Sequence, residues 1–136
     1  MRLAQHIPHH ALAFVAGCVY GLKETLLHHY GAFQAVFPGA NPNWWNPDIS
    51  WTNKGDNLLM RTVFAFLTDG YHLTAHLHLI LIWPAAWVLG VVWWFGRLMN
   101  DSPSNQQMFL SALLLWATLL SAHGAGFHLV YTIIFK

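Results

Sequence analysis

One aspartate and two histidines occupy positions that share a helix face in the segment DGYHLTAHLHLILIW, residues 69–83. Asp69, His72 and His76 are spaced i, i+3 and i+7, so at 100° per residue they lie within a sector of about 60°. Carboxylates and imidazoles are ligands for Zn, Fe, Mn or Cu, and they also transfer protons in catalysis. The same geometry directs His78 to the opposite side of the helix, so we expect His78 to be structural.

A second set of ionisable residues lies at the end of the first apolar segment. Glu24 and His28 are four residues apart, and Gly17 and Gly21 continue their face as a G-x-x-x-G pattern. Small residues let two helices approach closely in lipid. We therefore predict that this stripe faces the other helices and carries Glu24 and His28 inward.

The last apolar segment carries His123 and His128, which are about 140° apart on an ideal helix and cannot both face one centre. His128 shares its face with small and polar residues, whereas His123 shares its face with bulky apolar ones. We predict that His128 points inward, unless Gly124 or Gly126 permits a local bulge. The alternative for His123 is an ordinary interhelical hydrogen bond.

The composition indicates an integral membrane protein. Hydrophobic residues make up 56% of the 136 residues and charged residues only 8%, against roughly 25% charged in a soluble domain. The eight tryptophans are typical of membrane–water interfaces. Six basic and five acidic residues exclude a basic surface for nucleic acid.

Three apolar stretches are long enough to cross a bilayer, which takes about 20 helical residues. They predict an all-α bundle of three transmembrane helices at about 8–30, 63–97 and 106–135, forming one domain over residues 1–136. The first is interpreted as a retained helix rather than a cleaved signal. The long second helix could tilt, protrude from the bilayer or bend at Pro84, and we expect Ser104 to cap the third.

All the ionisable candidates fall at one end of this bundle. Because consecutive helices run in opposite directions, the end of the first, the start of the second and the end of the third share one face. We call it side B, and the N-terminal face side A. We predict a metal-binding site on side B, with candidate ligands Glu24, His28, Asp69, His72, His76, His123 and His128.

The connection PGANPNWWNPDISWTNKGDN, residues 38–57, also lies on side B. Loops of this length in a compact domain are usually functional or disordered, and Trp44 and Trp45 argue against disorder. We expect an interfacial loop that covers the site, in which Trp51, Asn53 and Lys54 bind a lipid head group or its phosphate. The structural alternative is an aromatic belt.

These side chains predict a metal-dependent hydrolase as the leading function. Water bound to Zn, Fe or Mn would be acidified, and the hydroxide would attack an ester or phosphoryl group of a lipid or other amphiphile at the bilayer surface. Asp69 or Glu24 would act as a ligand or as the general base, and Lys54 would be the third catalytic side chain.

Other functions stay open on the sequence alone. The same ligands could build a di-iron or copper redox enzyme, or two histidines on facing helices could hold haem in an electron-transfer subunit. Haem is less favoured because it leaves the carboxylates unexplained. The chain could also be a non-enzymatic small subunit of a larger membrane complex. Three helices make a small unit, so we expect a homo-oligomer or a partner membrane subunit.

Two motifs resemble those of a group of small polytopic bacterial membrane proteins. The chain has N-P-D-I-S-W-T-N-K at 46–54 and T-D-G-Y-H-L at 68–73, and that group carries an N-P-x-x-S-W-x-N-K loop and a T-D-G-aromatic-H-L helix start. The connection between the motifs is shorter here. The group has no established activity, so the resemblance transfers none. It implies a multi-pass protein of the bacterial cytoplasmic (inner) membrane, with one side B site built from Asn46, Pro47, Ser50, Trp51, Asn53, Lys54, Asp69 and His72.

Overall fold

The first long helix, α1 (Ile7–His28), is the element against which the other long helices pack. The computed structural model describes residues 7–62, 64–101 and 103–135, and every regular element within these ranges is helical. The predicted all-α class is therefore confirmed. The second long helix consists of α6, a π-helical segment and α7, and the third of α8 and another π-helical segment. Their bounds are α6 Gly70–His76, π Leu77–Ile82, α7 Trp83–Asp101, α8 Asn105–His128 and π Leu129–Ile134.

Two of these helices are long and apolar enough to cross a membrane. They run over Gly70–Asn100 and Asn105–Ile134, with 31 and 30 residues, and only 11% of the apolar window of each is buried. A core helix of a soluble protein would be mostly buried, so this exposure indicates a membrane protein. The first predicted span coincides with α1, whose 22 residues do not reach the same hydropathy in the described part of the chain.

The second long helix begins at Gly70 and not near residue 63 as predicted. Asp69 has an extended backbone, with φ −163° and ψ 159°, and its side chain accepts a hydrogen bond from the backbone N–H of His72. This is an N-cap, which fixes the first residue of the helix. The apolar residues before it form a separate 3₁₀ turn at Ala65–Leu67.

The long connection between α1 and α6 is built from single helical turns. Asparagine caps start three of them, since the side chains of Asn41, Asn46 and Asn57 each accept a backbone N–H. A proline follows the first two caps, at the position where its missing N–H costs nothing. The elements are α2 Tyr30–Val36, α3 Pro42–Trp45, α4 Pro47–Ser50, a 3₁₀ turn Trp51–Lys54 and α5 Leu58–Arg61.

The third helix starts within one residue of its predicted position, whereas the second ends about one turn later than predicted. α7 ends at Asp101, and the hydroxyl of Ser104 caps α8 by accepting the N–H of Gln107. The side chain of Gln107 accepts the N–H of Ser104 in return, which completes a capping box. Near the start of α7, Pro84 follows the π-helical segment, and its missing N–H accounts for irregular hydrogen bonding there.

Glycines set the contact between α1 and α8. A Cβ placed on Gly17 would overlap the carbonyl oxygen of His123, and one on Gly126 would overlap the carbonyl oxygen of Phe14. A Cβ on Gly21 would stand 3.0 Å from the carbonyl oxygen of Phe127. The two backbones therefore meet directly, and the prediction that Gly17 and Gly21 face the bundle is confirmed.

Replacing a contact glycine is expected to push α1 and α8 apart. We expect Gly17→Ala to lower the free energy of unfolding by about 1–3 kcal/mol, because the added methyl has no space. Thermal unfolding in detergent, followed by circular dichroism, measures the loss. Gly96→Ala in α7 is the matched control, since a Cβ there meets nothing within 4 Å, and alanine is the better helix former. Equal melting temperatures for the two variants would contradict the glycine contact.

Candidate functional site

The carboxylate of Asp69 is the buried centre of a polar group on side B. Its side chain is 1% exposed. Oδ1 accepts the backbone N–H of His72 at 2.8 Å, and Oδ2 accepts the hydroxyl of Thr68 at 3.2 Å. Nδ1 of His72 lies 2.8 Å from Oδ1 and 2.9 Å from Oδ2. The same carboxylate thus starts α6 and orients the imidazole of the residue three positions later.

The hydrogen bonds fix which nitrogen of His72 carries the proton. Nε2 of His72 lies 3.1 Å from Nζ of Lys54. An ammonium group only donates, so Nε2 accepts and the ring proton is on Nδ1, facing Asp69. Nζ of Lys54 is also 3.7 Å from Oδ2 of Asp69. Lys54, His72 and Asp69 therefore form a closed group, in which a carboxylate holds a neutral imidazole in one tautomer.

The loop is attached to the start of α6 by Asn53 of the NPDISWTNK motif and by Trp45, which precedes the motif. Nδ2 of Asn53 donates to the carbonyl of Asn43 at 2.6 Å and to that of Thr68 at 2.9 Å. The ring of Trp45 lies against Gly70, where a Cβ would overlap it. The structure thus brings Asn53 and Lys54 to the start of α6, as expected from the sequence.

Other members of that motif shape the loop. Asn46 caps α4 and Pro47 is its first residue. Ser50 is 1% exposed, and within the described residues its hydroxyl has no hydrogen-bond partner. Trp51 is 60% exposed and projects from the loop, which suits an interfacial residue. Of the three predicted substrate-binding residues, Trp51 is therefore exposed, whereas Asn53 and Lys54 are hydrogen-bonded at the start of α6.

Glu24 belongs to a neighbouring ionic group. Its carboxylate lies 2.6 Å from Nζ of Lys23 and 3.4 Å from Nε2 of His28. Lys23 stands over the ring of Tyr71 at 6.0 Å, and Tyr71 meets the ring of His72 edge-on at 5.1 Å. Glu24 thus neutralises Lys23 beside the Asp69 group but does not enter it.

His28 and His76 do not share the centre that the sequence predicted. The side chain of His28 is 55% exposed, so the prediction that it points inward is wrong: α1 ends at this residue, beyond the glycine contact. Nδ1 of His76 lies 2.8 Å from the carbonyl oxygen of His72. This nitrogen therefore donates its proton to the backbone of its own helix, one turn earlier.

His78 and His123, in contrast, meet inside the bundle. Their Nε2 atoms are 2.9 Å apart, and His78 is 7% exposed. The ring of Tyr20 stacks on His78 at 4.8 Å, and the ring of Trp83 lies 4.6 Å from His123. His78 was expected to be structural, and this bond with His123 joins two long helices. The 2.9 Å separation is that of a hydrogen bond and leaves no room for a haem between the rings.

The prediction of which face of α8 points into the bundle is also wrong. His128 is exposed, and His123 lies inward. The buried residues of α8 and of the π-helical segment after it are Leu115, Leu119, Gly126 and Val130, and His123 lies on their face at helical spacing. The small and polar stripe that carries His128 does not face α1, because Gly126 sets the contact.

The candidate ligands therefore fall into separate groups. Within residues 7–62, 64–101 and 103–135, no three His, Cys, Asp or Glu side chains are placed to hold one metal ion. Asp69 and His72 form one pair, Glu24 and His28 a second. The arrangement best suited to chemistry is the first, because it combines a buried carboxylate, an oriented imidazole and a cation.

The histidine pair is expected to behave as an interhelical bond. We expect His123→Leu to lower the free energy of unfolding by about 1–3 kcal/mol, because it leaves a buried imidazole nitrogen of His78 unpaired. The double variant with His78→Leu should cost less than the sum of the two single variants. Unfolding in detergent measures all three, and His128→Leu is the control. Additive losses would show that the two rings are not coupled.

Comparison with known proteins does not identify a family for this chain. No protein-family model, curated protein or solved structure matches this chain significantly. The site is therefore interpreted from its own geometry.

Proposed function

We propose that this chain is a multi-pass membrane protein whose Lys54–His72–Asp69 group hydrolyses an ester or phosphoryl bond of an amphiphile at the membrane surface. In this proposal α1 is the third span, and side B carries the site at the level of the lipid head groups. One observation carries the proposal: the carboxylate of Asp69, 1% exposed, binds Nδ1 of His72 while Nε2 faces Lys54.

Asp69 would serve His72 in two ways. It holds the proton on Nδ1, which leaves the Nε2 lone pair as the basic atom, and it stabilises the imidazolium that forms when Nε2 takes a proton. Because the carboxylate is buried and fixed by the backbone N–H of His72, it holds the ring in place through the separate contact with Nδ1. The base is thus oriented by the same carboxylate that caps the helix.

Lys54 would couple substrate binding to the release of this base. In the absence of substrate, its ammonium donates to Nε2 of His72. A phosphate or carbonyl oxygen of the substrate would compete for that ammonium, which carries three donors. Once Lys54 has turned to the substrate, Nε2 is open to a water molecule.

The proposed reaction consumes one water molecule. Nε2 of His72 takes a proton from water, and the oxygen attacks the carbonyl carbon or the phosphorus atom. Lys54 stabilises the negative charge that develops on the substrate oxygen. The imidazolium returns its proton to the leaving alkoxide, so that an acid and an alcohol are released and His72 is neutral again.

The metal-dependent form predicted from the sequence requires more ligands on one centre than the described residues bring together. General-base catalysis by His72 is therefore the first candidate. Elemental analysis of the detergent-purified protein tests the other form directly. Stoichiometric Zn, Fe or Mn that Asp69→Ala and His72→Ala both remove would favour the metal.

Removal of the base is expected to abolish hydrolysis. With the purified protein in lipid nanodiscs and a panel of chromogenic esters and phosphodiesters of increasing chain length, we expect His72→Gln to lower kcat by about 10²–10⁴-fold. Asp69→Asn should lower kcat similarly, since an amide can still cap α6 but cannot stabilise an imidazolium. Lys54→Met should lower kcat, because the charge that develops on the substrate oxygen loses its partner, and should raise KM for anionic substrates.

Two controls separate catalysis from folding. His29→Gln changes a side B histidine outside the group, and Arg61→Gln removes a cation that is bound to Asp56 in the same loop. Both should keep the wild-type rate. If the wild-type protein hydrolyses none of the panel, or if His72→Gln keeps the wild-type rate, the proposed function is wrong.

A further inference from the structure

A cavity at side B lies between α2 and the end of the third long helix. Its volume is about 340 Å³, and its lining residues are His29, Ala32, Tyr131, Thr132 and Phe135. This volume falls within the range of sites for small molecules, roughly 300–1,000 Å³. The lining shares no residue with the Lys54–His72–Asp69 group, so the cavity is a site of its own.

Irregularities in two helices bring the polar groups of the lining together. α1 ends at His28 and α2 begins at Tyr30, and His29 between them has a non-helical backbone with φ −140° and ψ 42°. Tyr131 lies in the π-helical segment Leu129–Ile134, an irregularity that is frequent at functional sites. Nε2 of His29 and the hydroxyl of Tyr131 are 3.0 Å apart. A hydrogen-bonded pair from two distant segments therefore stands at this cavity.

The hydrogen bond between these two side chains can run in either direction. A phenol both donates and accepts, and a neutral imidazole has one nitrogen of each kind. When Nε2 of His29 carries the proton, it donates to the phenol oxygen, and Tyr131 can donate its hydroxyl proton to a ligand carbonyl. When Nε2 is unprotonated, it accepts that hydroxyl proton, and the phenol oxygen can accept from a ligand hydroxyl. The pair therefore suits an oxygen that accepts in one form of the ligand and donates in another.

The rest of the lining favours an uncharged ring. No Asp, Glu, Lys or Arg is among the described lining residues, so a charged ligand would have no ionic partner among them. The ring of Phe135 is 6% exposed, and the ring of Tyr131 is stacked on Phe127 with 5.0 Å between the centroids. Aromatic walls held in this way bind flat rings by offset or edge-to-face contact.

The cavity lies where a ligand dissolved in the bilayer can reach it. The third long helix is apolar enough to cross a membrane and ends at Ile134, within one turn of Tyr131. This is the level of the lipid head groups if the helix crosses the bilayer, as proposed above. Beside the lining, Ile133 and Ile134 are 63% and 45% exposed, as expected of side chains that face lipid.

We propose that this cavity binds the head group of a membrane quinone, in both its quinone and its hydroquinone form. The pair of His29 and Tyr131 binds one ring oxygen, the ring lies against Phe135, and the alkyl tail extends into the lipid beside Ile133. A quinone meets these requirements because it is uncharged, planar and soluble in the bilayer. Its ring oxygens are acceptors when oxidised and carry hydroxyl donors when reduced.

Titration with decylubiquinone tests the proposal with the full chain in nanodiscs. Quinones quench tryptophan fluorescence, and probe that is free in the bilayer quenches by collision without saturating, so a saturable component reports the site. We expect such a component for the wild-type protein. Reduced decylubiquinol should raise the apparent Kd of the quinone by competition, whereas decylbenzene, which has the same tail and no oxygen, should not. Quenching of the wild-type protein that does not saturate would overturn the proposal.

Two matched pairs of variants test the polar and the steric part of the site. Tyr131→Phe keeps the ring and removes the hydroxyl, so it should weaken the apparent affinity about five-fold. Tyr30→Phe should not, because Tyr30 is outside the lining and its hydroxyl has no hydrogen-bond partner within the described residues. Ala32→Phe fills the cavity and should remove the saturable component, whereas Ala35→Phe, on the same helix and outside the lining, should not.

Circular dichroism verifies that each variant is folded, and wild-type affinity in both Tyr131→Phe and Ala32→Phe would overturn the proposal. His72→Gln separates this inference from the proposed hydrolysis, since it should abolish hydrolysis and leave quinone binding unchanged. Binding that His72→Gln removes would place the quinone at the hydrolytic group and would also overturn the proposal.

Discussion

The direct backbone contact between α1 and α8 determines where the other elements can lie. Gly17 leaves space for the carbonyl oxygen of His123, and Gly126 leaves space for that of Phe14. With the two backbones this close, rotation or sliding of either helix would force a side chain into the contact. His123 is thereby fixed toward Tyr20, one turn after Gly17, and it meets His78 of the second long helix.

The second constraint is the burial of Asp69. A carboxylate removed from water is unfavourable unless it is paired and hydrogen-bonded, and here the donors come from both sides of the residue. Thr68 precedes it and shares one hydroxyl proton between this carboxylate and the carbonyl of Ala65, His72 follows it, and Lys54 approaches from the loop. Loss of any one partner would leave part of the charge unsatisfied. The loop, the start of α6 and the orientation of His72 are thus held by one group of bonds.

Local chemistry explains which features could be predicted from the sequence. The Ser104 cap depends on residues within one helical turn. A stripe of small residues such as Gly17 and Gly21 is typical of a close contact between two helices in a membrane bundle. The position of Lys54 beside Asp69 followed from the paired motifs. Facing failed for His123 and His128 because an angle on one helix does not state which neighbour that angle meets. Asp69 was treated as an interior helix residue, whereas its extended backbone makes it a cap.

The small buried residues of α1 have a physical explanation in its packing against both other long helices. Its buried residues include Ala13, Ala16, Gly17, Gly21 and Thr25, and all of these are small. A helix covered by protein on two sides needs small residues for close approach more than it needs large apolar ones facing lipid. The outer helices show the complementary pattern, since Leu79, Ile80 and Leu114 are each more than 60% exposed. Among the described residues, the two helices that are long and apolar enough to cross a membrane are thus the ones that pack on α1 and keep large apolar side chains exposed.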